Sequence, residues 1–123
     1  MEGWRVDIHL RQALGRGYGV TLKDAALVQV LLLKYLNEGQ QLTLRFDTLK
    51  TVSQEFVIGV FAGLSDKVPT EIIMENLRLL GFPMDHMFVL EILVWSQFNS
   101  AQTSSAILRS PDGILRVSRL VIP

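Results

Sequence analysis

Between Leu42 and Leu64 the chain reads LTLRFDTLKTVSQEFVIGVFAGL, and few folds accommodate such a segment. Leu42, Leu44 and Phe46 alternate with Thr43 and Arg45, the period-two pattern of a half-buried strand. Asp47 and Thr48 end it. Ser53 then predicts a helix start, because its hydroxyl can accept the otherwise unpaired backbone N–H of Glu55 or Phe56. Val57, Phe61 and Leu64 form one apolar stripe on that helix. Gly59, Ala62 and Gly63 leave it thin, as for close approach to a sheet. An internal glycine costs a helix up to about 1 kcal/mol against alanine, so tight packing must compensate. Strand, short turn and thin helix in that order predict an α/β domain.

The flanking segments extend the pattern. Trp4 to Leu10 alternates and reads as a strand, followed by the loop Gly15-Arg16-Gly17-Tyr18-Gly19. Thr21 starts a helix, with Asp24 three residues later in capping-box position. That helix runs to Glu38 and stops at Gly39, a left-handed exit. It is apolar almost all round, which predicts that it is sandwiched or meets another subunit. After Pro69, Glu71 to Met74 reads as a third strand leading into Leu77-Arg78-Leu79-Leu80-Gly81. Asp85 is the expected cap of a third helix from His86 to Phe98. Ser105 to Ile122 reads as a β-hairpin around Ser110-Pro111-Asp112-Gly113. No repeat or linker divides the chain. The expectation is one α/β domain, a mixed sheet with helices mainly on one face, its core spanning about 4–98 and a C-terminal hairpin about 104–122.

Composition narrows the function classes. At 123 residues the chain is long enough to bury a core without disulfides or a metal. Twelve Lys+Arg balance twelve Asp+Glu, so the broad positive footprint of a nucleic-acid binder is missing. The absence of cysteine removes disulfides, thiolate metal sites and cysteine nucleophiles, and fits a reducing cytoplasm. The N-terminus lacks the basic-then-apolar pattern of a signal peptide. Apolar runs such as Val30 to Leu33 fall far short of a membrane span. A neutral chain that is 49% hydrophobic predicts an apolar face hidden in an oligomer or against a partner.

The strand Leu42-Leu44-Phe46, the turn Ser53-Gln54 with Phe56, and the helix carrying Phe61 and Leu64 resemble the STAS-like domain family of unknown function. Its members are relatives of the STAS fold of anti-sigma factor antagonists. The likeness covers roughly residues 15–76, with the Gly-rich loop and its helix in the corresponding place. It implies a STAS-like mixed sheet and a non-enzymatic regulatory role. A kinase-like ATPase or related switch protein would bind at Ser53, Gln54, Glu55 and Phe56 and along the helix they open. The chain departs from the family's frequent acidic residues after the phenylalanine, having Val57-Ile58-Gly59. Where the antagonists carry a phosphorylatable serine, it has Gln54-Glu55. Glu55 at a helix N-terminus is favourable by roughly 0.3–1 kcal/mol, which is ordinary helix-start chemistry and also a fixed negative charge.

Other constellations are weaker. His9 and His86 are far apart and lack acidic partners at ligand spacing, so no metal is expected. Ser53, Ser65, Ser104 and Ser105 have no histidine placed near them, so no catalytic residue is assigned and no cofactor is called for. Gly15-x-Gly17-x-Gly19 invites an anion-loop reading with Arg16, Gly17 and Gly19 as contacts, but it lacks the lysine and the spacing of a P-loop. A flexible approach to Thr21 explains it as well. In the third helix, Phe88, Ile92 and Trp95 at helical spacing read as core before docking face. One alternative function is a structural homo-oligomer, such as a homodimer, or a complex subunit assembling through the third helix and the C-terminal hairpin, with Trp95, Phe98 and Leu120 at the interface; a weaker one is a small nucleotide-binding protein using the Gly15–Thr21 loop.

Overall fold

The computed structural model describes residues 6–98 and 104–120. Trp4, Val121 and Ile122 lie outside them, as do the side chains of Phe98 and Leu120. The elements in chain order are β1 (Val6–His9), α1 (Leu10–Leu14), β2 (Tyr18–Gly19), α2 (Leu22–Asn37), β3 (Leu42–Arg45), β4 (Thr51–Val52), α3 (Gln54–Phe61), α4 (Leu64–Lys67), α5 (Thr70–Asn76), β5 (Leu77–Leu80), α6 (Met87–Phe98), β6 (Ser104–Arg109) and β7 (Ile114–Leu120). Short 3-10 turns follow β3 and precede α6.

The main sheet has the order β1-β3-β5-β7-β6, with β1, β3 and β5 parallel and the hairpin antiparallel. The α/β class with a mixed sheet is therefore present. The hairpin extends the sheet: Leu79 pairs with Leu115 and Leu80 with Ile114. Register places Ile8, Leu44, Leu79 and Leu115 in one row across four strands. All four are buried in a single cluster with Val28 and Leu32 of α2, Val57 and Val60 of α3, and Leu90 and Val94 of α6. The alternate residues Asp7, Thr43 and Arg78 form the neighbouring row on the opposite face. There Arg78 donates to the Thr43 hydroxyl at 3.3 Å.

Phe46, just past β3, is the centre of the core. Its ring meets Phe56 edge-on at 6.5 Å, Phe82 edge-on at 4.9 Å and Phe61 in a stack at 6.3 Å. Edge-to-face pairs are worth roughly 0.5–1.5 kcal/mol each beyond the area they bury. Phe82 reaches this position through Gly81, whose positive φ of 71° and closeness to the Asp47 backbone admit no side chain.

Several local expectations are corrected. Leu10 does not continue β1 but opens α1, and it is wholly buried there. Glu71 to Met74 is helical: the Pro69 carbonyl accepts from Ile72 and Ile73, and the strand begins only at Leu77. A short apolar run does not distinguish strand from helix, and Pro69 is a good helix opener. Asp85 makes no cap bond; His86 instead bonds back to the Pro83 carbonyl in a 3-10 turn. Gly59 approaches a helix rather than the sheet, since a Cβ there would lie 2.6 Å from the Ala25 Cβ of α2. The helix breaks at Ala62 and Gly63 rather than running to Leu64.

Candidate functional site

The Gly-rich loop and the Ser53 turn, read separately from sequence, meet in space. β2 and β4 pair in parallel, Tyr18 against Thr51 and Gly19 against Val52. Lys50 donates its backbone N–H to the Gly17 carbonyl at 2.6 Å, and Ser53 does so to Gly19 at 3.0 Å. This small ladder clamps the start of α2 to the start of α3.

Within the clamp, polar groups are engaged with one another. The Ser53 hydroxyl donates to the Val20 carbonyl at 2.6 Å and accepts from the Phe56 N–H at 3.0 Å. Its predicted capping role is present, and Oγ is held between two backbone groups. At α2 the capping box is complete: the Thr21 hydroxyl accepts from the Asp24 N–H, and the Asp24 carboxylate accepts from the N–H of Thr21 and of Val20, each at 3.2 Å. Both Asp24 oxygens also accept from the Arg16 guanidinium at 2.5 Å. Arg16 in turn bonds the Tyr18 carbonyl and lies 5.0 Å from the centre of the Tyr18 ring.

Asp24 is only 5% exposed. Burial pushes its carboxyl pKa up, but the two backbone donors and Arg16 together outweigh burial and hold it below the ordinary carboxylate value. A helix N-terminus attracts an anion, and here the chain supplies its own. The Arg16 guanidinium, read from sequence as a ligand contact, is engaged by Asp24 of the same chain. Gly19 has a packing reason as well, since a Cβ would come within 2.8 Å of the Phe56 ring. Gly17 is covered by the Arg11 guanidinium.

The four residues expected to bind a partner divide. Phe56 is wholly buried and belongs to the core, and Ser53 is bound into the clamp. Gln54 and Glu55 are exposed at the first turn of α3. Beside them Val20, Leu22 and Ile58 are exposed large apolar residues, and Leu22 lies against Gly59 of α3. The surface at this turn is therefore built from two helix starts, a fact that no single segment discloses.

On α6, Phe88, Ile92 and Trp95 are 70%, 50% and 69% exposed, which overturns their reading as core. Leu90 and Val94, on the opposite side of the helix, are buried instead. Sequence reasoning missed two capping side chains. Gln29 of α2 donates to the carbonyls of Val60 and Ala62, and Gln97 of α6 donates to that of Phe61. Together they satisfy the open C-terminal end of α3.

Other candidate chemistry remains dispersed. Among the described residues no group of three or more His, Asp or Glu is arranged to hold a metal ion. The His86 ring bonds the Val52 carbonyl at 2.7 Å and so ties the start of α6 to β4. Arg45 pairs with Asp47 at 2.7 Å, a bond that keeps the Asp47 carboxyl below its ordinary pKa. A cavity of about 40 Å³ between β5, β7 and α6 is lined by Phe61, Leu79, Leu90 and Ile107. It is far smaller than the ~300 Å³ of a small-molecule site. No helix among the described residues is long and apolar enough to cross a membrane. No protein-family model, curated protein or solved structure matches the chain.

Proposed function

We propose that the chain is a non-enzymatic regulatory module that binds a protein partner at the first turn of α3. The observation behind this reading is the contrast within the turn itself. Ser53, Phe56, Gly19, Arg16 and Asp24 are locked together beneath it, while Gln54, Glu55, Ile58 and Leu22 face outward. A rigid backbone carrying exposed apolar residues and one fixed charge is preorganised for docking, which lowers the ordering cost of binding.

The likeness to anti-sigma factor antagonists supplies the partner class, a kinase-like ATPase or related switch protein. Glu55 is a constant negative charge at the turn. The chain's lack of cysteine supports a cytoplasmic setting.

Affinity capture from the native host tests the proposal, with mass spectrometry of retained proteins and Glu55→Lys and Ile58→Glu variants alongside. Recovery of a kinase-like ATPase by the original chain, lost in both variants at an unchanged melting temperature, supports it. Equal recovery by the variants, or no ATPase retained by any chain, overturns it.

A further inference from the structure

We infer that the groove between α5 and the C-terminal hairpin binds a free α-amino acid with an apolar side chain. α5 packs against β7, and an open groove of about 370 Å³ lies between α5 and the hairpin. That volume falls within the ~300–1,000 Å³ of small-molecule sites. Glu71, Met74 and Glu75 line it from α5, and Leu108, Arg116 and Val117 from the hairpin. The groove shares no residue with the first turn of α3, so ligand binding and partner capture can fail independently.

Its two walls carry opposite charge. The charged residues of α5 are both acidic, Glu71 and Glu75, and residues four apart share one side of a helix. Those of β7 are both basic, Arg116 and Arg119. Elsewhere in the hairpin, Arg109 donates to the Met84 sulfur and Asp112 accepts from the Ile114 N–H; neither lines the groove. Its remaining lining residue, Ser118, is uncharged. Glu71, Glu75 and Arg116 are exposed and so within reach of a ligand. A carboxylate has about four acceptor sites and a guanidinium about five donors, so contacts within the chain do not exhaust them.

Only a molecule bearing both charges is complementary to such walls. A simple anion meets two carboxylates, and a simple cation meets Arg116. Arg78 strengthens the case for an anionic group at the hairpin wall. Burial lowers its pKa from the ordinary arginine value, and the nearby Arg116 charge lowers it further, against Asp112 and Asp7. The two guanidinium groups therefore oppose each other, and a carboxylate placed at Arg116 relieves both. The ammonium of the same molecule faces Glu71 and Glu75. Met74 of one wall, with Leu108 and Val117 of the other, offers the apolar surface, and Leu108 is 51% exposed. An α-amino acid with an apolar side chain combines these three parts in one small molecule.

NMR titration of the isotope-labelled chain with leucine and phenylalanine tests the assignment, beside glycine and two fragments of leucine. Isoamylamine lacks the carboxylate, and isocaproate lacks the ammonium. At least one of the two apolar amino acids should bind with a Kd of about 1 mM or tighter, shifting amides of α5 and the hairpin. Leucine should bind at least about tenfold more tightly than glycine or either fragment. Arg116→Met should weaken leucine about tenfold and leave isoamylamine as tight or tighter. Glu71→Gln with Glu75→Gln should weaken leucine likewise and spare isocaproate. All three positions are exposed, circular dichroism checks that each variant is folded, and relative affinities cancel any difference in active fraction. A Kd weaker than about 1 mM for both amino acids overturns the inference. So do shifts confined to other elements, equal binding of glycine or of either fragment, or an unchanged order of preference in the variants.

Discussion

Gly19 lies flat against the ring of Phe56, so close that a Cβ would come within 2.8–2.9 Å of three ring carbons. One residue belongs to the Gly-rich loop and the other to the helix opened by Ser53. Their contact joins the two segments that sequence singles out. Gly19→Ala forces a buried ring to move in a packed core, at a cost of about 1–3 kcal/mol. Gly15→Ala meets no neighbouring atom and is disfavoured only by its positive φ of 75°, at about 1–2 kcal/mol. Chemical denaturation should show both losses. Near-ultraviolet circular dichroism should change only for Gly19→Ala, because only that substitution displaces an aromatic ring.

The Asp24–Arg16 pair gives stability a definite pH dependence. The Asp24 carboxyl is held below its ordinary pKa in the folded chain, so the unfolded chain binds its proton more readily. Its contribution is fully present above about pH 3.9, the unfolded value, and is lost as pH falls through the folded value. Asp47 acts in the same direction through Arg45. Asp24→Asn should cost about 1–3 kcal/mol at neutral pH and flatten the acid limb of a melting-temperature profile. Arg16→Ala should cost less, about 1 kcal/mol or below, since its side chain is 40% exposed.

The strand at Leu42, the caps Thr21 and Ser53, and the hairpin turn were all legible because each depends on neighbours within a few residues. Thr21 and Asp24 sit at capping-box spacing and form that box. What sequence did not disclose depends on distant partners. Arg16 invites an anion until Asp24 is seen beside it. Phe88, Ile92 and Trp95 read as core because helical spacing identifies an apolar face without saying what covers it. The buried side of α6 carries apolar residues too, so periodicity does not choose between the sides. Glu71 to Met74 reads as strand because four apolar-rich residues satisfy either period, and the Pro69 carbonyl, accepting from Ile72 and Ile73, makes it helix.

Gln97 predicts a loss with no counterpart in local pattern. Its amide N–H donates to the Phe61 carbonyl at 2.8 Å, and its oxygen accepts from the Ser65 N–H at 2.9 Å. Gln97→Leu keeps the apolar stem and strands both backbone groups, which should cost about 1–3 kcal/mol. Gln97→Glu keeps the acceptor for Ser65 and should forfeit only the bond to Phe61. Hydrogen exchange at Ser65 separates the two: faster in Gln97→Leu and unchanged in Gln97→Glu.

Gly59 and Ala25 set how closely α3 approaches α2. A Cβ on Gly59 would lie 2.6 Å from that of Ala25 and 3.2 Å from Leu22 Cδ2. Gly59→Ala should gain up to about 1 kcal/mol of helix propensity, yet overpacking against a buried methyl should remove about 1–3 kcal/mol. A net destabilisation is expected. Ala25→Gly alone should also destabilise, by loss of propensity and a small void. Ala25→Gly combined with Gly59→Ala exchanges the methyl across the contact and should recover much of the single-variant loss. The double-mutant cycle should therefore give a favourable coupling of at least about 0.5 kcal/mol. Additive losses would mean that the two helices relax apart without sharing this contact, and the thin face of α3 would need another explanation.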